Sequence, residues 1–420
     1  MPATAFAQRR IARLASLTAV HRAFHWLHLH QPQLRQWQLE FVRIPAPTFH
    51  ESARAAWFLD RFHQLGLSNI HLDAAGNALA ELAPNPSLNP NVPCLLLSAH
   101  LDTVFPLDTA ITPREDLDSP RIYAPGICDN AAGLSGLLAI AAALRYANIE
   151  PPIPILFAAN VGEEGQGDLR GMRQIFTQPP YHHRIAAAIV LEGSGNSAVV
   201  TRALGSLRFR VTLIGPGGHS WSDNDNPNPI LVLGHTLNEL SQRIPDTTPS
   251  PTSRTTFNVG CITGGTSVNS IPESATALIE IRSTHAERLR EAESEMRSSI
   301  QRVVSSFCQQ HTTKVNLKTT IEVIGDRPAA VLPDDAPILH TLRAVDRHLT
   351  LRTDPRIGST DANIPLSLNI PAIAIGTGGT GGGIHTLQEW YDPTGRESAL
   401  RRILLTLLDL ADTLNPDPQA

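Results

Sequence analysis

Residues 93–102 read PCLLLSAHLD, an uncharged, mostly apolar run that ends in His100 and, two places on, Asp102. An unbroken apolar run of this length, without polar alternation, is the pattern of a strand buried on both faces. It recurs at Ile153 to Val161 (IPILFAANV), Ile185 to Leu191 (IAAAIVL) and Pro371 to Gly376 (PAIAIG). Between the first two runs lies NAAGLSGLLAIAAALRY, Asn130 to Tyr146, rich in Ala and Leu and long enough for a helix. Continuous runs separated by helices predict an α/β fold, a mostly parallel sheet flanked by helices. Upstream, residues 8 to 65 show apolar spacings of three and four and read as helices, as in LTAVHRAFHWL and ESARAAWFLDRFHQLG.

The texture changes between 204 and 324. Leu207 to Ile214 (LRFRVTLI) and Ala277 to Arg282 (ALIEIR) alternate, which suits an antiparallel sheet with one wet face. Two amphipathic helices go with it, Pro229 to Ile244 and a second whose stripe is Leu289, Met296, Ile300, Val303 and Phe307. The expected organisation is therefore a first domain from 1–203 plus 325–420, interrupted by an inserted α+β domain over 204–324. Residues 1–35 form an extra N-terminal helical segment.

Composition sets outer bounds. With 420 residues and 42% of them hydrophobic against 17% charged, the chain buries a sizeable core and is not disordered. Lys plus Arg total 34 against 39 Asp plus Glu, a net charge of −5, so no general attraction to nucleic acid is expected. No apolar run is long enough for a membrane span. Arg9, Arg10 and Arg13 interrupt what would be the core of a secretory signal. Cys94, Cys128, Cys261 and Cys308 are widely spaced with no CxxC, which reads as reduced thiols in a cytoplasm.

The ionisable residues fall where the apolar runs end. His100 and Asp102 follow the first, Asp129 opens the Ala-rich helix, Glu163 and Glu164 end the next run, Glu192 the one after, and His385 follows the last. In an open parallel sheet, ligands bind beyond the carboxyl ends of the strands. So many carboxylates converging there repel one another unless a cation neutralises them, and an imidazole–carboxylate set suits zinc or a similar divalent ion. Five ligands serve two ions if one carboxylate bridges, and a pair of ions is the machinery of hydrolysis. Each residue also has an ordinary reading: a lone HxD is most often a structural histidine, Glu-Glu a solvated pair, and Asp129 the N-cap of its helix. The ordered series at strand ends carries the signal.

The series AHLDTV, CDNAAG, NVGEEG, LEG, GPGGHS, GGTSVNSIP with EIR, GSTDAN and GGGIHT resembles the superfamily of zinc aminopeptidases and aminoacylases, which includes peptidase T, carboxypeptidase G, acetylornithine deacetylase and succinyl-diaminopimelate desuccinylase. The likeness runs from about residue 40 to 410 and is strongest to peptidase T-like members. It implies one zinc held by His100 and Glu192, a second by Glu164 and His385, and Asp129 bridging them, with cobalt or manganese as alternatives to zinc. It implies that Asp102 orients His100, that Glu163 is the general base, and that the Asp129–Asn130 peptide is cis. In the inserted block, His219 would stabilise the oxyanion at a neighbouring subunit's site, which makes that block a lid and the surface of a homodimer. Asn269 and Arg282 would hold a substrate carboxylate; the ordinary alternative for Arg282 is a cross-strand ion pair.

Gly376 to Gly381 (GTGGTG) satisfies GxGxxG after a strand, but Gly382-Gly383-Ile384-His385 follows with no helical face. It reads as a flexible loop that delivers His385 and, at Gly379, offers backbone N–H groups to substrate. The expected activity is cleavage of an amide bond in small peptides, by an exopeptidase acting on di- or tripeptides. Alternatives are release of an acyl group from an N-acyl amino acid, a non-catalytic metal-binding relative, and a dinucleotide-binding enzyme.

Overall fold

A computed structural model describes residues 4–83, 92–246, 254–310 and 316–416. The chain divides into two compact units, 1–202 with 331–420, and 203–330.

The first unit is built on a sheet whose strands run Ser68–Leu72, Ala78–Leu82, Ile155–Asn160, Cys94–His100, Ile185–Leu191, Ala372–Ile375 and Ala198–Ala203 in spatial order. The four strands from Ile155–Asn160 to Ala372–Ile375 are parallel, with His100 opposite Asn160 and Ile375 opposite Leu191. Every residue of Cys94–His100 is buried, as its unbroken apolar run requires. The edges are antiparallel: Ala78–Leu82 on Ile155–Asn160, and Ala198–Ala203 on Ala372–Ile375.

The Ala-rich helix spans Ala131–Ala147 and is buried on nearly all sides, so it has no polar stripe. Its N-cap is Asn130, whose side chain accepts the Gly133 N–H at 3.1 Å. Asn148 closes it in the left-handed region. Asp129, which ordinary capping logic would spend on the helix, is thereby left free. The Asp129–Asn130 peptide is cis.

Four helices, Ala5–Ala15, Thr18–Leu29, Gln31–Val42 and Ser52–Gln64, precede the sheet. The extra N-terminal segment packs through Ile11, Leu14, Val20, Phe24, Leu27 and Leu34. Arg10 also makes a bidentate pair at 2.5 and 2.6 Å to buried Asp409 on the C-terminal helix Arg396–Leu414. Among the described residues no helix is long and apolar enough to cross a membrane.

The second unit is a four-stranded antiparallel sheet ordered Thr255–Gly264, Ser274–Ser283, Gly205–Ile214, Lys318–Arg327. Its core joins Phe209, Val211, Ile279 and Ile281 to Leu233 and Leu237 of helix Pro229–Arg243, and to Met296 and Ile300 of helix Ala286–Gln310. The strict alternation of buried and part-exposed positions along most of Ser274–Ser283 is the one-face pattern read from its sequence.

Candidate metal centre

The ends of the parallel strands bring five side chains to one place. His100 is the last residue of its strand and is 1% exposed. Its Nδ1 faces the Asp102 backbone carbonyl at 3.0 Å, which places a ring proton there and turns Nε2 into the site. That Nε2 lies 3.1 Å from Asp129 Oδ1 and 3.3 Å from Glu192 Oε1. On the other side, His385 Nε2 lies 3.1 Å from Asp129 Oδ2 and 3.1 Å from Glu164 Oε1. Each oxygen of Asp129 thus faces a different histidine. The ligand atoms of His100, Asp129 and Glu192 lie within 4.8 Å of one another, as do those of Asp129, Glu164 and His385, and those of His100, Glu163 and Glu164.

The electrostatics of this cluster are those of a site built around cations. Burial pushes the Glu164 carboxyl up to about 7 and raises Glu192 as well, both against the pull of the histidines. Burial opposes charge on His100, but Glu192, Asp102 and Asp129 outweigh it and raise its pKa. Hydrogen bonding to Asp129 leads the rise of His385, to about 9. Asp129 moves the opposite way: burial raises it, and the two histidines more than reverse that. Among the described residues, Glu192 Oε2 is cut off from solvent with no hydrogen-bond partner, an acceptor that a cation satisfies. The crowding of carboxylates around two imidazoles, with that orphaned oxygen, fits a divalent metal.

Asp102 does more for the two glutamates than for His100. Its buried carboxylate accepts the backbone N–H of Glu163 at 2.9 Å, that of Glu164 at 2.9 Å, and the Thr48 hydroxyl at 2.9 Å. The His100 Nδ1 is 3.6 Å from its Oδ1, too long for a good hydrogen bond. Orientation of His100 therefore comes from the Asp102 carbonyl, and the carboxylate holds the Glu163–Glu164 turn.

His385 arrives on a hairpin. The stretch expected to be a flexible loop pairs instead as Thr380–Gly382 against Trp390–Asp392, with His385 near its tip at φ 65°. No helix starts at Gly381, so the dinucleotide fingerprint is not formed. Gly379 is buried, and the Asp392 carbonyl and Tyr391 ring occupy the space a Cβ would need, at 2.3 and 2.9 Å. The other three residues singled out in the sequence lie in the second unit. His219 is exposed, and its Nδ1 accepts N–H groups from Trp221 at 3.2 Å and Ser222 at 3.4 Å. Asn269 is exposed and bonded to the Ser267 hydroxyl. Arg282 is paired with Glu280 at 2.7 and 3.0 Å, and Arg208 reaches the same carboxylate at 2.9 Å.

The family model described as "Peptidase family M20/M25/M40" matches residues 96–412. The chain belongs to this family. Among curated proteins, this M20-family chain is similar to a probable carboxypeptidase of Paracoccidioides lutzii, 28% identical over 202 residues, 45% of each chain. It is also 28% identical over 261 residues to one of Aspergillus clavatus, covering 58% of this chain and 56% of that one. It spans about half the length of the curated relatives it matches. Its fold is that of aminopeptidase PepT from Bacillus cereus, with TM-score 0.70, 18% identity and coverage of 91% of this chain and 99% of that one. The dipeptidase Dug1p from Saccharomyces cerevisiae superposes with TM-score 0.70 at 14% identity, covering 95% and 99%.

Three residues of this M20 peptidase-family site were not singled out in the sequence. Arg54 is fully buried and donates to the Leu101 carbonyl at 2.7 Å and to that of Ile44 at 2.6 Å, a cation beneath the His100–Asp102 turn. Burial brings its guanidinium down to about 10, with Asp102 opposing. Asp361 accepts from Asn160 Nδ2 at 2.7 Å, and burial pushes it up to about 7. Glu389 is the third. Arg54 sits in an ordinary amphipathic pattern. Asp361 lies within GSTDAN, where the sequence marks no role for it.

Proposed function

We propose that this protein is a zinc-dependent hydrolase with two metal positions that cleaves an amide bond in small peptides, as an exopeptidase on di- or tripeptides. The observation that carries the reading is Asp129, with one oxygen toward His100 and the other toward His385. His100, Glu192 and Asp129 would hold one ion; Glu164, His385 and Asp129 the other. Zinc suits the mixed nitrogen and oxygen donors, and cobalt or manganese would occupy the same set. When bound, the ions supply Lewis-acid polarisation of the scissile carbonyl and a lowered pKa for water.

The chain's own groups supply the rest. Glu163, 6% exposed beside His100 and Glu164, takes the proton of the attacking water and returns it to the leaving amine. Asp102 fixes the backbone from which Glu163 projects. His219 accepts N–H groups at Nδ1, so its proton sits on Nε2, the tautomer an oxyanion donor needs. Asn269 offers an exposed amide to a substrate carboxylate, and Arg282 engages one by exchanging it for Glu280. Gly379 acts by letting the hairpin pack. The 203–330 unit would serve as lid and homodimer surface, with Thr255–Gly264 as its exposed edge strand. Four free cysteines agree with a cytoplasmic setting.

The test is Glu163→Gln on a panel of di- and tripeptides and N-acyl amino acids, with metal content measured in parallel. Peptide cleavage by the wild type that falls at least about 100-fold in a variant keeping its metal supports the assignment. Acyl release alone would move the activity to the deacylases, and a fully active variant would remove Glu163 as the base.

A further inference from the structure

Glu389 belongs to no ligand set, yet it joins the segment that ends in Asp129 to the hairpin that carries His385. It is fully buried, and its carboxylate accepts three backbone N–H groups: Gly126 at 2.9 Å on Oε2, with Cys128 and Asp129 at 2.8 Å each on Oε1. Its backbone carbonyl accepts the Ala124 N–H at 3.0 Å, and the next two residues, Trp390 and Tyr391, pair with Tyr123 and Ile122. Four residues before it, the same hairpin carries His385. One side chain therefore ties the segment ending in Asp129 to the hairpin bearing His385, across 260 residues of sequence.

A role in merely closing the loop does not call for a carboxylate here. The three backbone N–H groups are its only hydrogen-bond donors among the described residues. A buried acid of this kind persists where an acceptor-only group is required to gather N–H donors. The Asp129 N–H belongs to the Cys128–Asp129 peptide and the Cys128 N–H to the peptide before it, so the planes of both, and with them the direction of the Asp129 side chain, are set by Glu389.

We propose that Glu389 is the positioning residue that sets the separation of Asp129 and His385, and so builds the metal position these two share with Glu164 before any ion arrives. The inference rests on the two-metal reading above. Glu389→Gln keeps the shape but presents an NH2 group to either the Gly126 N–H or the Cys128 and Asp129 N–H pair, so one contact becomes donor against donor. Asp129 and His385 then lose their register while every ligand remains in place.

The experiment is competition for zinc against a chromophoric chelator, with full-length wild type and Glu389→Gln, alongside the melting temperature of each metal-free protein and the absorption spectrum of each cobalt-substituted one. The expected result is two zincs in the wild type, with the weaker-held ion of the variant lost or bound about 10- to 100-fold less tightly. An altered cobalt spectrum and a near-normal metal-free melting temperature accompany it. A loop-closing role alone would lower the melting temperature and leave zinc affinity and spectrum unchanged, and that result overturns the proposal. If Glu389→Gln does not fold, Glu389→Asp is measured instead: it keeps the charge but cannot span both segments, and wild-type zinc affinity in it overturns the proposal equally. A wild type that binds no zinc contradicts the two-metal reading itself, a different failure.

Discussion

Replacing Asp102 by Asn changes one oxygen to NH2 in a pocket where both oxygens are in use. The carboxylate accepts from Glu163 N, Glu164 N and the Thr48 hydroxyl, all at 2.9 Å, and is 0% exposed. Whichever way the amide turns, one of the two backbone N–H groups faces a donor. An unsatisfied buried N–H costs about 1–3 kcal/mol, and the surviving bond drops from a charge-assisted to a neutral one, roughly 1 kcal/mol more. Relief of the buried charge offsets part of this, so a net loss of about 2–3 kcal/mol is expected for Asp102→Asn. Denaturant unfolding of the metal-free protein measures it. Because the Glu163–Glu164 turn also carries a metal ligand, zinc affinity should fall about 10- to 100-fold in the same variant. Burial raises the Asp102 carboxyl, but the nearby His100 and the bonds from the two backbone N–H groups outweigh this and hold it below the usual range. Its contribution is therefore present above the unfolded-state value and is lost as pH falls through the lower folded-state one. A variant that unfolds within about 0.5 kcal/mol of the wild type and binds zinc equally would refute the reasoning.

Arg402 is 1% exposed and forks onto Asp346 at 2.6 and 2.8 Å, so Arg402→Met strands a buried carboxylate and should cost about 3–5 kcal/mol in chemical denaturation. In the 203–330 unit, burial raises the Glu280 carboxyl, but Arg282 and Arg208 outweigh it and bring it to about 2, from a usual 4.5. The sign follows: that stabilisation is complete above about pH 4.5 and disappears toward pH 2, and solvent screening limits it to about 1 kcal/mol. Glu280→Gln should flatten the acid limb of stability over that window, read by thermal melts against pH. A Cβ at Gly381 would stand 2.3 Å from Cys128 Sγ, so Gly381→Ala must displace the residue beside Asp129 and should weaken zinc binding at least tenfold in chelator competition.

The parts that were legible in the sequence are those whose physics is local. Cys94–His100, Ile155–Asn160 and Ile185–Leu191 announce themselves as unbroken apolar runs because both faces of each strand are buried. The ionisable residues just past their ends stand out because charge is rare in such surroundings. The antiparallel edges were not legible: Ser68–Leu72 (SNIHL) and Ala198–Ala203 (AVVTRA) are short and half-exposed, with no pattern to separate them from loop. The hairpin at Thr380–Gly382 was hidden because three glycine-rich residues show no alternation of side chains. Asp129 and Asn130 are both good helix caps, and only the fold shows that Asn130 caps while Asp129 faces the histidines. Glu389 reads as a solvated charge, since its partners are backbone N–H groups about 260 residues away that no side-chain pattern advertises.

The most direct test of the two-metal account is elemental analysis of metal per chain after zinc loading and dialysis, for wild type and His385→Ala. The account predicts two zincs in the wild type and no more than one in the variant, which keeps His100, Asp129 and Glu192. A wild type that retains no zinc, or a variant that retains as much as the wild type, would contradict it.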